Sequence, residues 1–214
     1  MARHAYKSTP LFGGAIVVDM PEKFVDVSKI RTVPDNQEVY LDNDGFTSII
    51  VDILERIETE GDSPLERDGK AMTAHLEDIA GEDAENVRVW NTTETRFTHL
   101  DPSIPCYTLI ATTIPKPKQP LIPENMPPEL AQQQIEAAKR SAPDFTALIM
   151  TLVRLEQKQT DIIITINVPH IKGEYDEEEV DLELGKQGKL IGDAVEYAAR
   201  VWETFEIKDW GLFA

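Results

Sequence analysis

Residues 145–168 read FTALIMTLVRLEQKQTDIIITINV. Phe145 to Leu155 is apolar at neighbouring positions, not only alternate ones, which marks a strand covered on both faces. Thr160 to Val168 is a second strand, dense in β-branched residues. The connection around Gln157-Lys158-Gln159 is too short for a crossover helix, so the two strands form an antiparallel hairpin. A hairpin buried on both faces needs a layer on each side. Leu190 to Phe205 supplies one: Leu190, Ile191, Ala194, Val195, Ala198, Val201, Trp202 and Phe205 make one wide apolar stripe at helical spacing. Asp68 to Ala80 supplies another helix, with Ala71, Ala74, His75, Leu76 and Ile79 on one side and Gly81 as its stop.

Further strands lie upstream of the hairpin. Ala15 to Val18 is short and β-branched and follows a backbone bend at Gly13-Gly14. Glu38 to Leu41 is followed by the turn residues Asp42-Asn43-Asp44-Gly45. Ser48 to Leu54 favours a strand, although Ile50, Leu54 and Ile57 also fit a helix face. Val87 to Thr98 and Pro105 to Ile114 complete the set, the latter stopped by Pro115 and Pro117. Strands, helix, consecutive strands, helix, with no repeated βαβ unit, predict an α+β fold: a single antiparallel sheet sandwiched by helices. The 214 residues suit one domain spanning 1–214. Residues 115–143 hold seven of the fourteen prolines and the Ala/Gln/Glu-rich helical stretch Glu129 to Lys139. They read as a surface insertion, because strand-like sequence resumes directly after them.

The chain carries 21 Lys and Arg against 39 Asp and Glu, a formal net charge of −18. That disfavours nucleic acid and anionic membrane as partners, since both reward a basic footprint. Two stretches hold most of the charge. Residues 19–62 contain twelve acids and four bases, and residues 174–183 contain seven acids and no base. The second stretch lacks the ligand spacing of a calcium loop and reads as a solvated loop. Within the first, Asp52 interrupts Ile49-Ile50-Val51-Asp52-Ile53-Leu54. A charge there needs a reason: either this is an edge strand with one wet face, or the acid has a functional role that the pattern alone does not name.

Enzyme signatures are missing. Gly69-Lys70-Ala71 and Gly188-Lys189-Leu190 lack the upstream glycine and the hydroxyl residue of a phosphate loop. His4, His75, His99 and His170 have no metal-ligand spacing, so no metal or other cofactor is expected. Cys106 is the one cysteine, which excludes an internal disulfide, and it reads as a small buried hydrophobe. There is no secretory h-region and no apolar run of membrane-span length, so an intracellular, reducing compartment is expected. Asn91-Thr92-Thr93 then matches the glycosylation pattern by chance.

One ordered set of residues carries a resemblance. Leu11-Phe12-Gly13-Gly14-Ala15 is followed by Asp26-Val27-Ser28, Arg31, Val33-Pro34-Asp35-Asn36-Gln37-Glu38-Val39-Tyr40, and Ser48-Ile49-Ile50-Val51-Asp52-Ile53-Leu54-Glu55. Thr160 to Pro169 and the terminal Leu212-Phe213-Ala214 belong to the same set. Together they resemble the Ran guanine nucleotide release factor family over most of the chain, apart from 115–143 and 174–183. The resemblance implies a fold similar to the photosystem protein PsbP. It also implies binding to the small GTPase Ran, promotion of guanine nucleotide release, and support of nuclear import. Asp26, Asp35, Glu38, Asp52 and Glu55 match the family acids implicated in Ran binding. The expected protein is then a monomer in the nucleus, with a cytoplasmic pool, that performs no covalent chemistry. A non-catalytic adaptor, binding Ran or another trafficking protein without altering nucleotide, is the alternative, and a small-molecule enzyme the remote one.

Overall fold

The computed structural model describes residues 4–27, 32–116, 126–133 and 142–213. Its strands in chain order are β1 (Tyr6–Leu11), β2 (Ile16–Pro21), β3 (Phe24–Asp26), β4 (Gln37–Asp42), β5 (Ser48–Glu55), β6 (Val87–Glu94), β7 (Cys106–Thr113), β8 (Phe145–Leu155), β9 (Thr160–His170), β10 (Val180–Asp181), β11 (Lys186–Gln187) and β12 (Glu206–Ile207). Two long helices, α1 (Pro64–Ala80) and α2 (Gly188–Thr204), accompany them.

The hairpin of residues 145–170 lies near the middle of a seven-stranded antiparallel sheet ordered β3-β4-β5-β9-β8-β7-β6. Pleat parity divides its side chains between two cores. Ala147, Ile149, Val153, Ile162, Ile164 and Ile166 face α2, meeting Ile191, Ala194 and Val201. Leu148, Met150, Leu152 and Ile163 face α1, meeting Met72 and Leu76. Each large apolar side chain so buried contributes about 1.5–3 kcal/mol.

The expectation of a single sheet needs correction. Alongside the seven-stranded sheet stand a three-stranded sheet, β1-β2-β12, and the small β10-β11 ladder. Ile16, Val18 and Met20 alternate inward from β2 and are buried in the α2-side core. The N-terminal hairpin therefore packs face-on, beside α2, instead of lengthening the main sheet at its edge.

Ser48 to Leu54 is strand and not helix. β5 lies between β4 and β9, so the edge-strand account of Asp52 is also corrected. Helix α1 starts four residues earlier than its apolar periodicity indicates. Ser63 Oγ accepts from the Glu66 N–H at 3.2 Å, Glu66 Oε2 accepts from the Asp62 N–H at 2.9 Å, and Pro64 opens the first turn. The acidic 174–183 stretch is folded, with a 3-10 turn at Glu177–Glu179 leading into β10. Arg88 pairs with Glu183 across it. Ser28, Arg31, most of the 115–143 insertion and part of its expected helix lie outside the described residues; 128–133 are helical.

Candidate functional site

The motif residues meet at one end of the sheet. Pro34 O accepts from the Gln37 N–H at 2.9 Å, closing a turn that leads into β4. Asn36 then brackets Ile53 on β5: its backbone oxygen accepts from the Ile53 N–H at 2.8 Å, and its Nδ2 donates to the Ile53 oxygen at 3.1 Å. Gln37 Nε2 donates to Asp52 Oδ1 at 2.7 Å. Glu38 Oε1 accepts from the Phe12 N–H at 2.7 Å. Each of these residues ties the turn to a different neighbour and leaves Asp35 exposed at its tip.

The bond from Glu38 lands on an unusual stretch of backbone. Phe12, Gly13 and Gly14 have φ of 49°, 66° and 92°, three successive residues with left-handed φ between β1 and β2. Glycine takes this region freely; Phe12 pays about 1–2 kcal/mol for it. The C-terminal segment meets the same turn: the Lys208 and Asp209 N–H groups both donate to Ala15 O, at 2.8 and 3.1 Å. The result is an open cleft of about 400 Å³ lined by Phe12, Gly13, Val33, Pro34, Asp35, Gln37, Glu38 and Leu212. Strained non-glycine backbone held by the surrounding structure is a feature of functional sites.

The five singled-out acids do not share one face. Asp26 pairs with Tyr40, Glu38 with Val51 and Glu55 with Thr160, all on the α2 side by register. Asp52 pairs with Gln37 and projects on the α1 side. Asp35 and Glu55 are exposed, Asp26 and Glu38 half-buried, and Asp52 only 9% exposed. Burial raises the Asp52 carboxyl above its usual range, and the charge of Asp78 adds to this; the Gln37 bond and His75 oppose it. The arrangement is an acidic rim around the ends of β4 and β5. Burial pushes the Cys106 thiol up to about 12, so it is protonated at neutral pH.

A second constellation escaped the sequence reading. Arg154, 2% exposed, donates through Nη1 to Asp68 at 2.7 Å, through Nε to Asp161 at 3.1 Å and through Nη2 to Ile57 O at 2.6 Å. His75 Nε2 lies 2.9 Å from Asp161 Oδ2. This network clamps α1 and the 56–58 segment to the sheet. Its signal was the pair of opposite charges, Arg154 and Asp161, placed symmetrically about the hairpin and paired in register. Phe12, Gln37 and Leu212 were quoted as motif residues, but their meeting in one cleft is invisible without the fold.

Comparison with known proteins gives the family and the fold. The sequence pattern of the family described as Ran-interacting Mog1 protein matches residues 9–169. The human Ran guanine nucleotide release factor is 33% identical over 165 residues, covering 76% of each chain. The nuclear import protein mog1 of Schizosaccharomyces pombe is 28% identical over 208 residues, 95% of this chain and 98% of its own. The crystal structure of the Ran-binding protein Mog1p of Saccharomyces cerevisiae superposes with a TM-score of 0.66 over 99% of this chain and all of that one, at 24% identity. That likeness establishes the fold. From cleft motifs, pattern and relatives together, the chain belongs to the Mog1 family of Ran-interacting proteins.

Proposed function

We propose that this chain binds the small GTPase Ran with the acidic rim and cleft at the ends of β4 and β5, and promotes release of its guanine nucleotide in support of nuclear import. One observation carries the reading: three sequence-distant motifs, around Phe12, Asp35 and Leu212, line a single cleft. Relatives of this chain are named for Ran binding, nucleotide release and nuclear import.

The mechanism is a difference in affinities. The rim, carrying Asp35 and Glu55, meets a basic surface of the GTPase, and complementary charge speeds encounter. Release follows when the chain binds nucleotide-free Ran more tightly than the loaded form. Nucleotide then weakens this chain's binding by the same factor. Each tenfold of release requires about 1.4 kcal/mol of differential contact. The protein acts as a monomer, without covalent chemistry, in the nucleus and a cytoplasmic pool.

The test loads Ran with a fluorescent guanine nucleotide and follows its loss with and without this chain. A faster off-rate is expected. Tight binding with an unchanged off-rate would make the chain an adaptor, and no binding would remove the reading altogether.

A further inference from the structure

His170 closes β9 at the end of the sheet away from the acidic rim. It is 0% exposed, and its Nδ1 stands 2.9 Å from Val168 O. A carbonyl oxygen only accepts, so Nδ1 carries the proton and Nε2 is a bare lone pair. Nε2 is buried and has no hydrogen-bond partner. Two rings cover the imidazole. Phe145 stacks on it with centroids 4.0 Å apart at 17°, and Tyr175 stands edge-on at 4.9 Å. A buried nitrogen left without a partner in a native fold calls for a reason.

The cover on the Tyr175 side is lightly held. Tyr175 belongs to residues 171–179, which also carry Glu174, Asp176, Glu177, Glu178 and Glu179. Hydrogen bonds inside this segment are local. The Glu174 N–H donates to Ile171 O at 2.9 Å, and the Glu178 and Glu179 N–H groups donate to Asp176 at 3.0 and 3.2 Å. Tyr175 ties the segment to the sheet, by its ring on His170 and by its hydroxyl, which donates to Asp144 Oδ2 at 3.0 Å. A cavity of about 390 Å³, bordered by His170, Gly173, Glu179, Lys189 and Leu190, lies between the segment and the start of α2. Backbone that is exposed and makes few buried contacts opens at low free energy.

A proton acts on this cover in one direction. On Nε2 it makes a charged N–H with no acceptor inside the closed arrangement, which burial disfavours. Burial accordingly holds His170 below its ordinary 6.5, against the Val168 oxygen and the charge of Asp144. The charged groups around the ring are Asp144 ahead of β8, Glu174, Asp176 and Glu179 on the segment, and Lys189 at the head of α2. Lys189 pairs with Asp193, and Lys172 with Glu177. The surroundings are therefore acidic, and they attract an imidazolium once Nε2 is uncovered. In the open form the imidazole returns to its ordinary value. The closed form is thus favoured above about pH 6.5 and loses ground as pH falls below it.

We propose that His170 and Tyr175 form a pH-operated latch: neutral His170 keeps residues 171–179 closed, and protonation at Nε2 releases them and bares the imidazole to their carboxylates. The release is local, since β8 and β9 pair along their whole length independently of the segment. The latch stands at the opposite end of the sheet from the proposed Ran surface and does not depend on it.

The test is NMR on the full chain between pH 7.5 and 5.5. It follows the His170 Cε1 proton, the Overhauser contact between the Tyr175 and His170 rings, and the exchange protection of the Glu174 and Glu179 amides, corrected for the intrinsic pH effect. The His170 midpoint should fall below 6.5. The ring contact should fade on acidification, and the two amides should lose protection several-fold, up to the roughly tenfold that one proton supplies over one pH unit. Amides of Ile149 to Leu152 should keep theirs. Tyr175→Phe, which removes the bond to Asp144, should open the segment further at both pH values and raise the His170 midpoint. His170→Phe, which keeps a ring under Tyr175 and has no titrating nitrogen, should abolish the pH dependence. A His170 midpoint at or above 6.5, a segment unchanged from pH 7.5 to 5.5, or equal pH dependence in His170→Phe overturns the latch. Protection lost across β8 and β9 as well would be global acid unfolding and overturns it too. If His170→Phe does not fold, Tyr175→Phe and the wild-type titration decide.

Discussion

Asp52 and Glu55 stand three residues apart on β5 and project from opposite faces of the sheet. Asp52 pairs with Ile163 on the α1 side and Glu55 with Thr160 on the α2 side. A partner that touches both must wrap the end of the strand.

Charge reversal at the exposed acids should weaken association without unfolding the chain. Asp35→Lys and Glu55→Lys sit at exposed positions, so unfolding should shift by less than about 0.5 kcal/mol in a urea titration. Ran association should slow for each, and the difference from wild type should shrink as salt rises from low ionic strength. Equal association rates at low salt would remove these acids from the interface.

Asp52→Asn should stabilise the protein while weakening Ran binding. Burial lifts the folded-state pKa of Asp52 above the unfolded value, with Asp78 adding to the effect. Such a group favours the folded state at low pH, and that contribution is lost as pH rises through the folded-state value. Above that value the ionised form, which burial disfavours, is the one the fold must hold. The amide removes it and keeps an oxygen to accept from Gln37. A gain of about 0.5–1 kcal/mol, or roughly 1–4 °C in Tm, is expected by calorimetry at pH 7, and it should vanish in acid. A lower Tm at pH 7 contradicts the account.

Glu38 should prove to be a positioning residue for the Phe12 turn. Glu38→Gln keeps an oxygen for the Phe12 N–H, whereas Glu38→Ala leaves that donor unpaired beside strained backbone. Ran affinity should fall about tenfold or more for Ala and recover to within a few-fold for Gln. Equal losses would assign Glu38 a charge contact instead.

The Arg154 network should dominate acid stability. Arg154→Met strands Asp68 and Asp161 without their cation and should cost about 3–5 kcal/mol in urea unfolding. Burial alone would raise the Asp161 carboxyl; His75, Arg154 and the Ile57 N–H outweigh it and hold it below its usual 3.8. A depressed carboxylate stabilises the fold above its unfolded pKa, and the contribution is lost as pH falls through the folded value. Asp161→Asn should thus lower stability at pH 7 and flatten the decline below pH 4.

Much of this fold was legible because the strands carry their burial in their spelling. The run from Phe145 to Val168 announced a doubly covered hairpin, and the stripe from Leu190 to Phe205 announced the helix over it. The separate N-terminal sheet was not legible. Ile16, Val18 and Met20 alternate whether β2 extends a sheet edge or lies flat on its face, and only packing distinguishes the two. The start of α1 is spelled by the Ser63–Glu66 capping box and Pro64, and apolar periodicity alone misses it because Pro64 to Arg67 has none. At the site, residue types were readable and faces were not. Pleat parity fixes which side Asp52 takes, but the side that α1 covers depends on contacts with Met72 and Leu76, far along the chain.

The pairing of β12 with β2 joins Glu206 to Val17 and Ile207 to Ile16. A growing chain therefore carries all five acids long before the ribosome has made Leu212, the last wall of the cleft. A nascent or proteolysed product ending before Glu206 has the acids without the last wall of the cleft. The charge of the rim is thus local in sequence, while the shape of the cleft is completed only by chain that returns from the far side of α2.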